Sequence, residues 1–115
     1  MKRGDVYIAD LKPRSGSEQT GRRPVIVISN DGFNLTPNWR TIIVVPLSTS
    51  LNQARRFQTA VVIVAGEGGL SQDSVAICHQ VTTLNRSKLI QRLGELSSAK
   101  ILEIERGLKA AMDMV

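Results

Sequence analysis

Two continuous apolar runs, 24–29 and 41–47, most constrain how this chain can fold. Both are dense in Val and Ile (Val25-Ile26-Val27-Ile28 and Ile42-Ile43-Val44-Val45), the composition of buried strands. Three further runs have strand character: 5–10, where Val6 and Ile8 share one face, then 59–64 and 74–81. Turn formers fill the gaps at 12–21, 30–38 and 48–58, and Gly66-Glu67-Gly68-Gly69 reads as a hairpin turn. No gap between the first four runs holds a helix of crossover length, so a mainly antiparallel sheet is expected. The tail changes period. Ser97-Ser98 offers a helix cap, and Ile101, Ile104, Leu108, Met112 and Val115 recur every three or four residues. Gly107 interrupts that stretch at about 1 kcal/mol relative to Ala. Short helical turns are expected at 31–34 and 85–89. The expectation is a mainly β fold, a small curled sheet or barrel of antiparallel strands with short helices and one C-terminal α-helix, in one domain over 1–115.

Charge narrows the choice of partner. The chain carries a formal +5, and all of it lies in residues 1–60, with nine Lys/Arg against four acids. Residues 61–115 carry six of each. A polyanion, nucleic acid first, is the partner such a half favours. No apolar run approaches a membrane span, so no membrane association is expected. The first residues lack a secretory pattern, and one cysteine, Cys78, suits a reducing cytoplasm.

The basic half holds the most distinctive segment, Gly16-Ser17-Glu18-Gln19-Thr20-Gly21-Arg22-Arg23-Pro24, which runs directly into the first buried strand. Glycines near both ends permit tight backbone folding and close approach to a ligand. A guanidinium is a planar fork that fits phosphate oxygens and keeps its charge at any working pH. A carboxylate placed beside guanidiniums suits proton transfer next to a phosphate. The segments 12–23 and 48–58 are long for a chain of this size, and loops of that length are usually functional or disordered. They carry Arg14, Arg22 and Arg23, and Arg55 and Arg56.

Other chemistries fit poorly. One His, one Cys and no HExxH or CxxC pairing argue against a metal site, and no cofactor is expected. A histidine-based ribonuclease needs both an acid and a base, and His79 stands alone, read here as a core or edge residue of a strand. There is no GxSxG. Glu18, Arg22, Arg23 and the hydroxyl run Ser48-Thr49-Ser50 remain. They suffice for one reaction, attack of an RNA 2′-hydroxyl on its own phosphate. The protein need then only remove a proton, stabilise the phosphorane and protonate the leaving 5′-oxygen.

The chain resembles the MazF/PemK toxins, the metal-independent mRNA interferases of type II toxin–antitoxin systems. The resemblance rests on Arg3-Gly4-Asp5-Val6-Tyr7, Asp10-Leu11-x-Pro13, Gly16-Ser17-Glu18-Gln19-x-Gly21-x-Arg23-Pro24-Val25, Asn30-Asp31, Val45-Pro46, Asp73-Ser74-Val75, Gln80-Val81, Thr83 and Arg92-x-Gly94-x-Leu96. It implies an SH3-like barrel of the MazF/CcdB type and a homodimer. It implies cleavage of single-stranded RNA to 2′,3′-cyclic phosphate and 5′-hydroxyl ends, and inhibition by a cognate antitoxin with an acidic, disordered tail. The family's catalytic arginine falls on Arg23, its loop glutamate on Glu18 and its catalytic threonine on Ser48, with Thr49 adjacent and the choice between the two hydroxyls open. RNA contacts are expected from Arg14, Ser17, Gln19, Arg22, Trp39, Arg55 and Arg56. Glu18 is the better base, because a guanidinium holds its proton.

Two rival readings stand beside this one. One is a non-catalytic CcdB-like toxin that binds a protein target such as gyrase. The other is a plain nucleic-acid-binding barrel, which would stack bases on aromatic platforms; Trp39 beside Arg40 is the candidate here. The dimer is also expected on grounds of size, through a helix stripe of Ile101, Leu108 and Met112.

Overall fold

The computed structural model describes residues 1–11, 21–55 and 58–114. Seven strands form the sheet: β1 (Asp5–Leu11), β2 (Gly21–Val27), β3 (Thr41–Ser48), β4 (Ala60–Ile63), β5 (Ser74–Ile77), β6 (Thr82–Asn85) and β7 (Leu89–Glu95). Their order is β4-β5-β3-β2-β1-β7, with β6 beside β3, and every pairing among the described residues is antiparallel. One helical turn, α1 (Asp31–Asn34), links β2 to β3, and α2 (Ser98–Ala111) follows β7. The mainly antiparallel sheet with a C-terminal helix is the architecture expected from the sequence.

Three expectations need correction. The run 74–81 is not one strand: it stops at Ile77, and Cys78–Gln80 form a 3₁₀ turn that carries His79 to the surface. The strands β6 and β7 went unread, and five expected strands become seven. Both are largely solvent-facing (Gln91, Arg92 and Thr83 are exposed), so neither shows a continuous apolar signal. The segment 48–58 is not simply a loop, since Leu51–Arg55 form a 3₁₀ helix.

The sheet has two apolar faces, and strand alternation assigns the residues to them. Val6, Ile26, Val45 and Leu47 join Ile63, Cys78, Ile104 and Leu108 in one cluster under α2. Ala9, Leu11, Val25, Val27, Ile42, Val44 and Leu84 form the second. The sheet's curl is closed by glycines. Gly68 and Gly69, in the turn between β4 and β5, lie against Leu93 and Gly94 of β7. A Cβ on Gly69 would stand 2.1 Å from the Leu93 carbonyl oxygen, and its φ of +76° already favours glycine.

Ser97 caps α2 by accepting the Lys100 amide at 3.2 Å. Gly107 is no flaw in that helix: a Cβ there would lie 2.7 Å from the Cys78 sulfur. The helix lies this close to the sheet because position 107 has no side chain. The apolar stripe is spent largely within the protomer. Ile104 and Leu108 are buried and Ile101 packs on the same cluster, while Met112 is 50% exposed; Val115 lies outside the described residues. Of the stripe expected to meet a second copy, Met112 is the described residue left largely open to solvent.

Candidate functional site

At one end of the sheet the register brings two expected residues into correspondence. β2 and β3 pair as Val27↔Val44, Ile26↔Val45 and Val25↔Pro46. Two residues beyond the last of these pairs stand Arg23 on β2 and Ser48 on β3. Alternation puts Arg23 on the face of Val25 and Val27, and Ser48 on the face of Val44 and Pro46, which is the same face. Thr49 falls on the other parity, beyond the strand end. The recorded β2–β3 pairing stops at Val25↔Pro46, and there β3 passes to β5 through Leu47↔Ala76 and Ser48↔Val75. Arg23 and Ser48 thus flank a fork between strands.

The fork's surroundings are cationic. Arg22 and Arg23 are exposed on β2, where they stand opposite Asp10 and Ala9 of β1. They are strand residues, not loop residues as expected. Arg55 ends the 3₁₀ helix that follows Ser48-Thr49-Ser50 and is also exposed. Ser48 is half-buried, and its hydroxyl oxygen accepts the Ser50 amide at 3.0 Å, a local turn that orients the side chain. Leu11 pairs with Gly21, so both ends of the segment that carries Arg14, Ser17, Glu18 and Gln19 emerge at this end of the sheet. Those four residues lie outside the described residues, as does Arg56. Among the described residues, no three of His, Cys, Asp and Glu converge on one point.

Trp39 is not at this end. It precedes the first residue of β3, whereas Ser48 is the last, so the length of the strand, about 25 Å at ~3.3 Å per residue, separates them. There it stacks on Phe33, with ring centroids 4.3 Å apart and planes at 7°. Phe33 was not singled out in the sequence, because the turn of α1 that brings it under Trp39 has no local signature.

Many remaining motif residues hold the scaffold at that far end. The Asp5 carboxylate is 3% exposed, accepts the Lys2 amide at 2.9 Å and pairs with Arg92 at 3.3 Å. Arg3 donates its amide to Asp31 at 2.7 Å and its guanidinium to the Ile28 carbonyl and to Glu105. Asn30 caps α1 by accepting the Gly32 amide. Hydrogen bonds from Asn34 and from the Arg3 amide hold the Asp31 carboxyl below its ordinary range.

Comparison with known proteins gives the family and the fold. The family model for the PemK-like, MazF-like toxin of type II toxin-antitoxin system matches residues 2–112. The endoribonuclease MazF of Staphylococcus epidermidis is 38% identical over 115 residues, covering 99% of this chain and 92% of the relative. The crystal structure of MazF from Deinococcus radiodurans shares the fold, with a TM-score of 0.80 at 23% identity, covering 99% of this chain and 97% of that one. A mycobacterial endoribonuclease in complex with its cognate antitoxin has a TM-score of 0.72 at 25% identity, covering 98% and 93%. With the family model matched across nearly its whole length, the chain belongs to the PemK-like, MazF-like toxins of type II toxin–antitoxin systems.

Proposed function

We propose that this protein is an endoribonuclease toxin that cuts single-stranded RNA at the fork between β2 and β3. The observation that carries the reading is the point where the β2–β3 pairing ends, with Arg23 and Ser48 each two residues past the last pair, in a chain 38% identical to an endoribonuclease. The RNA 2′-oxygen forms the new bond to phosphorus as the bond to the 5′-oxygen breaks. Glu18 takes the 2′ proton, and Arg23 holds the equatorial phosphorane oxygens in a bidentate fork. The Ser48 hydroxyl positions the phosphate by hydrogen bonding, and a solvent water gives its proton to the leaving 5′-oxygen. Ser48 is favoured over Thr49 for positioning the phosphate because it is the last residue of β3, while Thr49 lies beyond the strand end.

Exposed Arg22 and Arg55 would hold flanking phosphates, with Arg14, Arg56, Ser17 and Gln19 adding contacts from the adjoining segments. The same cations suit a cognate antitoxin with an acidic tail, which would cover them and exclude RNA. The working form is a homodimer, and the compartment is the cytoplasm, where mRNA is met. No helix of the described residues is long and apolar enough to cross a membrane.

The test is incubation with a long RNA in EDTA, followed by end analysis. Cleavage should persist, and the downstream fragments should accept a kinase label without prior phosphatase treatment. Replacing the ribose 5′ of the cut phosphate with deoxyribose should abolish the cut. Cleavage of the deoxy-substituted strand would refute the mechanism. Ser48→Ala should slow cleavage more than Thr49→Ala; the reverse order would move the hydroxyl role to Thr49.

A further inference from the structure

The Phe33–Trp39 stack stands on the surface, at the opposite end of β3 from Ser48, with the two rings 38% and 43% exposed. Exposed aromatic pairs are usually held loosely by their loops. This one is clamped. The Arg86 guanidinium donates to the carbonyls of Phe33 (3.0 Å), Asn34 (2.9 Å), Thr36 (3.3 Å) and Trp39 (2.9 Å), and its remaining contact is the Met1 sulfur. The Arg86 amide also donates to the Arg40 carbonyl at 2.6 Å. One side chain thereby gathers the carbonyls of both ring-bearing residues, so the platform is preorganised before anything lands on it.

The neighbourhood is cationic. Arg40 follows Trp39 directly, Arg86 and Lys88 follow β6, and Lys2 lies close enough to act on Asp31. Asp31 is the one acid in 30–43 and 82–90, and its carboxylate is already engaged by the Arg3 amide and Asn34. A rigid aromatic face with Arg40 next in the chain and Lys88 in the turn that Arg86 anchors beside it fits an unpaired nucleobase, whose ring stacks while its phosphates meet those cations. A second copy of this chain fits less well, since a two-fold contact would set Arg40 and Lys88 against their own equivalents.

We infer that Phe33 and Trp39 form a base-stacking subsite for the RNA strand, several nucleotides from the cut, with Arg86 as its positioning residue. The inference rests on the ribonuclease reading for its ligand, and the two can fail separately. Trp39 is the only tryptophan, so its fluorescence reports this site alone.

The Arg23→Ala protein, which should leave RNA uncut, is titrated with short single-stranded RNA of mixed sequence while Trp39 emission is followed. Saturable quenching is expected. In otherwise native protein, Trp39→Ala should raise KM for a long RNA by between about fivefold and a hundredfold, the range for losing one stacked base. The change in kcat should be much smaller, and Trp39→Phe should restore most of the loss. Thermal melting of the variants separates this from misfolding. RNA cleavage with no quenching and no change in KM would overturn the subsite while leaving the nuclease intact. Quenching without cleavage of any RNA would keep the subsite and overturn the nuclease. Emission that changes with protein concentration in the absence of RNA would overturn the subsite in favour of a second copy.

Discussion

The two ends of the sheet use the same kinds of residue for opposite purposes. At the fork, Arg22, Arg23 and Arg55 are exposed cations, and the Ser48 hydroxyl, among the described residues, is engaged by the nearby Ser50 amide. At the far end, Arg3 and Arg86 have guanidiniums committed to backbone carbonyls, and Asp5 and Asp31 have carboxylates committed to backbone amides. A charged group satisfied by its own chain stabilises the fold and has little left to offer a substrate. An arginine held out in solvent contributes little to stability and keeps its fork for an incoming phosphate. Family motifs therefore mix two classes of residue that sequence alone presents as equals.

The largest effect that tests this division belongs to Arg23. Arg23→Ala should cut the cleavage rate by about 10²–10³, the cost of losing one preorganised charge-stabilising group, with the melting temperature unchanged. Arg23→Lys should recover little of that. A melting shift as large as those from scaffold substitutions would place Arg23 with the scaffold instead.

A smaller effect, on stability, should appear at the contact between α2 and the sheet. Helix propensity alone predicts that Gly107→Ala stabilises by about 1 kcal/mol. The 2.7 Å approach to the Cys78 sulfur predicts the opposite sign, a loss of roughly 1–3 kcal/mol from overpacking. In a Cys78→Ala background that loss should largely vanish, because the obstructing atom is gone. Urea denaturation of the four proteins in this cycle decides it, and additive effects would discard the steric account. Cys78 itself is fully buried, and burial pushes its thiol up to about 11, so it should resist alkylation until the protein unfolds.

The smallest effect is a pH dependence at the far end. The folded Asp31 carboxyl is held below its unfolded value of about 3.9, so its contribution is present above that pH and is lost as pH falls through the folded value. Asp31→Asn should narrow its stability deficit relative to the native protein as the pH falls below about 4. Parallel curves down to pH 2 would mean that the two hydrogen bonds do not favour the charged form.

Legibility in the sequence followed burial. Runs 24–29 and 41–47 declared themselves because both faces are covered at 25–27 and 44–47, while β6 and β7 gave no such signal because much of their surface meets water. The C-terminal helix and its Ser97 cap were readable from local spacing. Arg23 and Ser48 were readable as candidates from the motif, yet the choice between Ser48 and Thr49 had no local basis. That choice depends on where β3 ends and passes from β2 to β5, which only the strand pairing shows. Trp39 was grouped with the RNA-contacting arginines, but β3 carries it to the other end of the sheet.

By itself, the sequence determined the secondary elements with strong apolar periodicity, the concentration of charge in the first half and the family, since each is written in composition or in local order. Only the tertiary structure decided which charges are spent on the scaffold and which stay free, why Gly107 and Gly69 must lack side chains, and what lies beside Trp39. Those facts depend on contacts between residues far apart in the chain, and a linear pattern carries no record of distance in space.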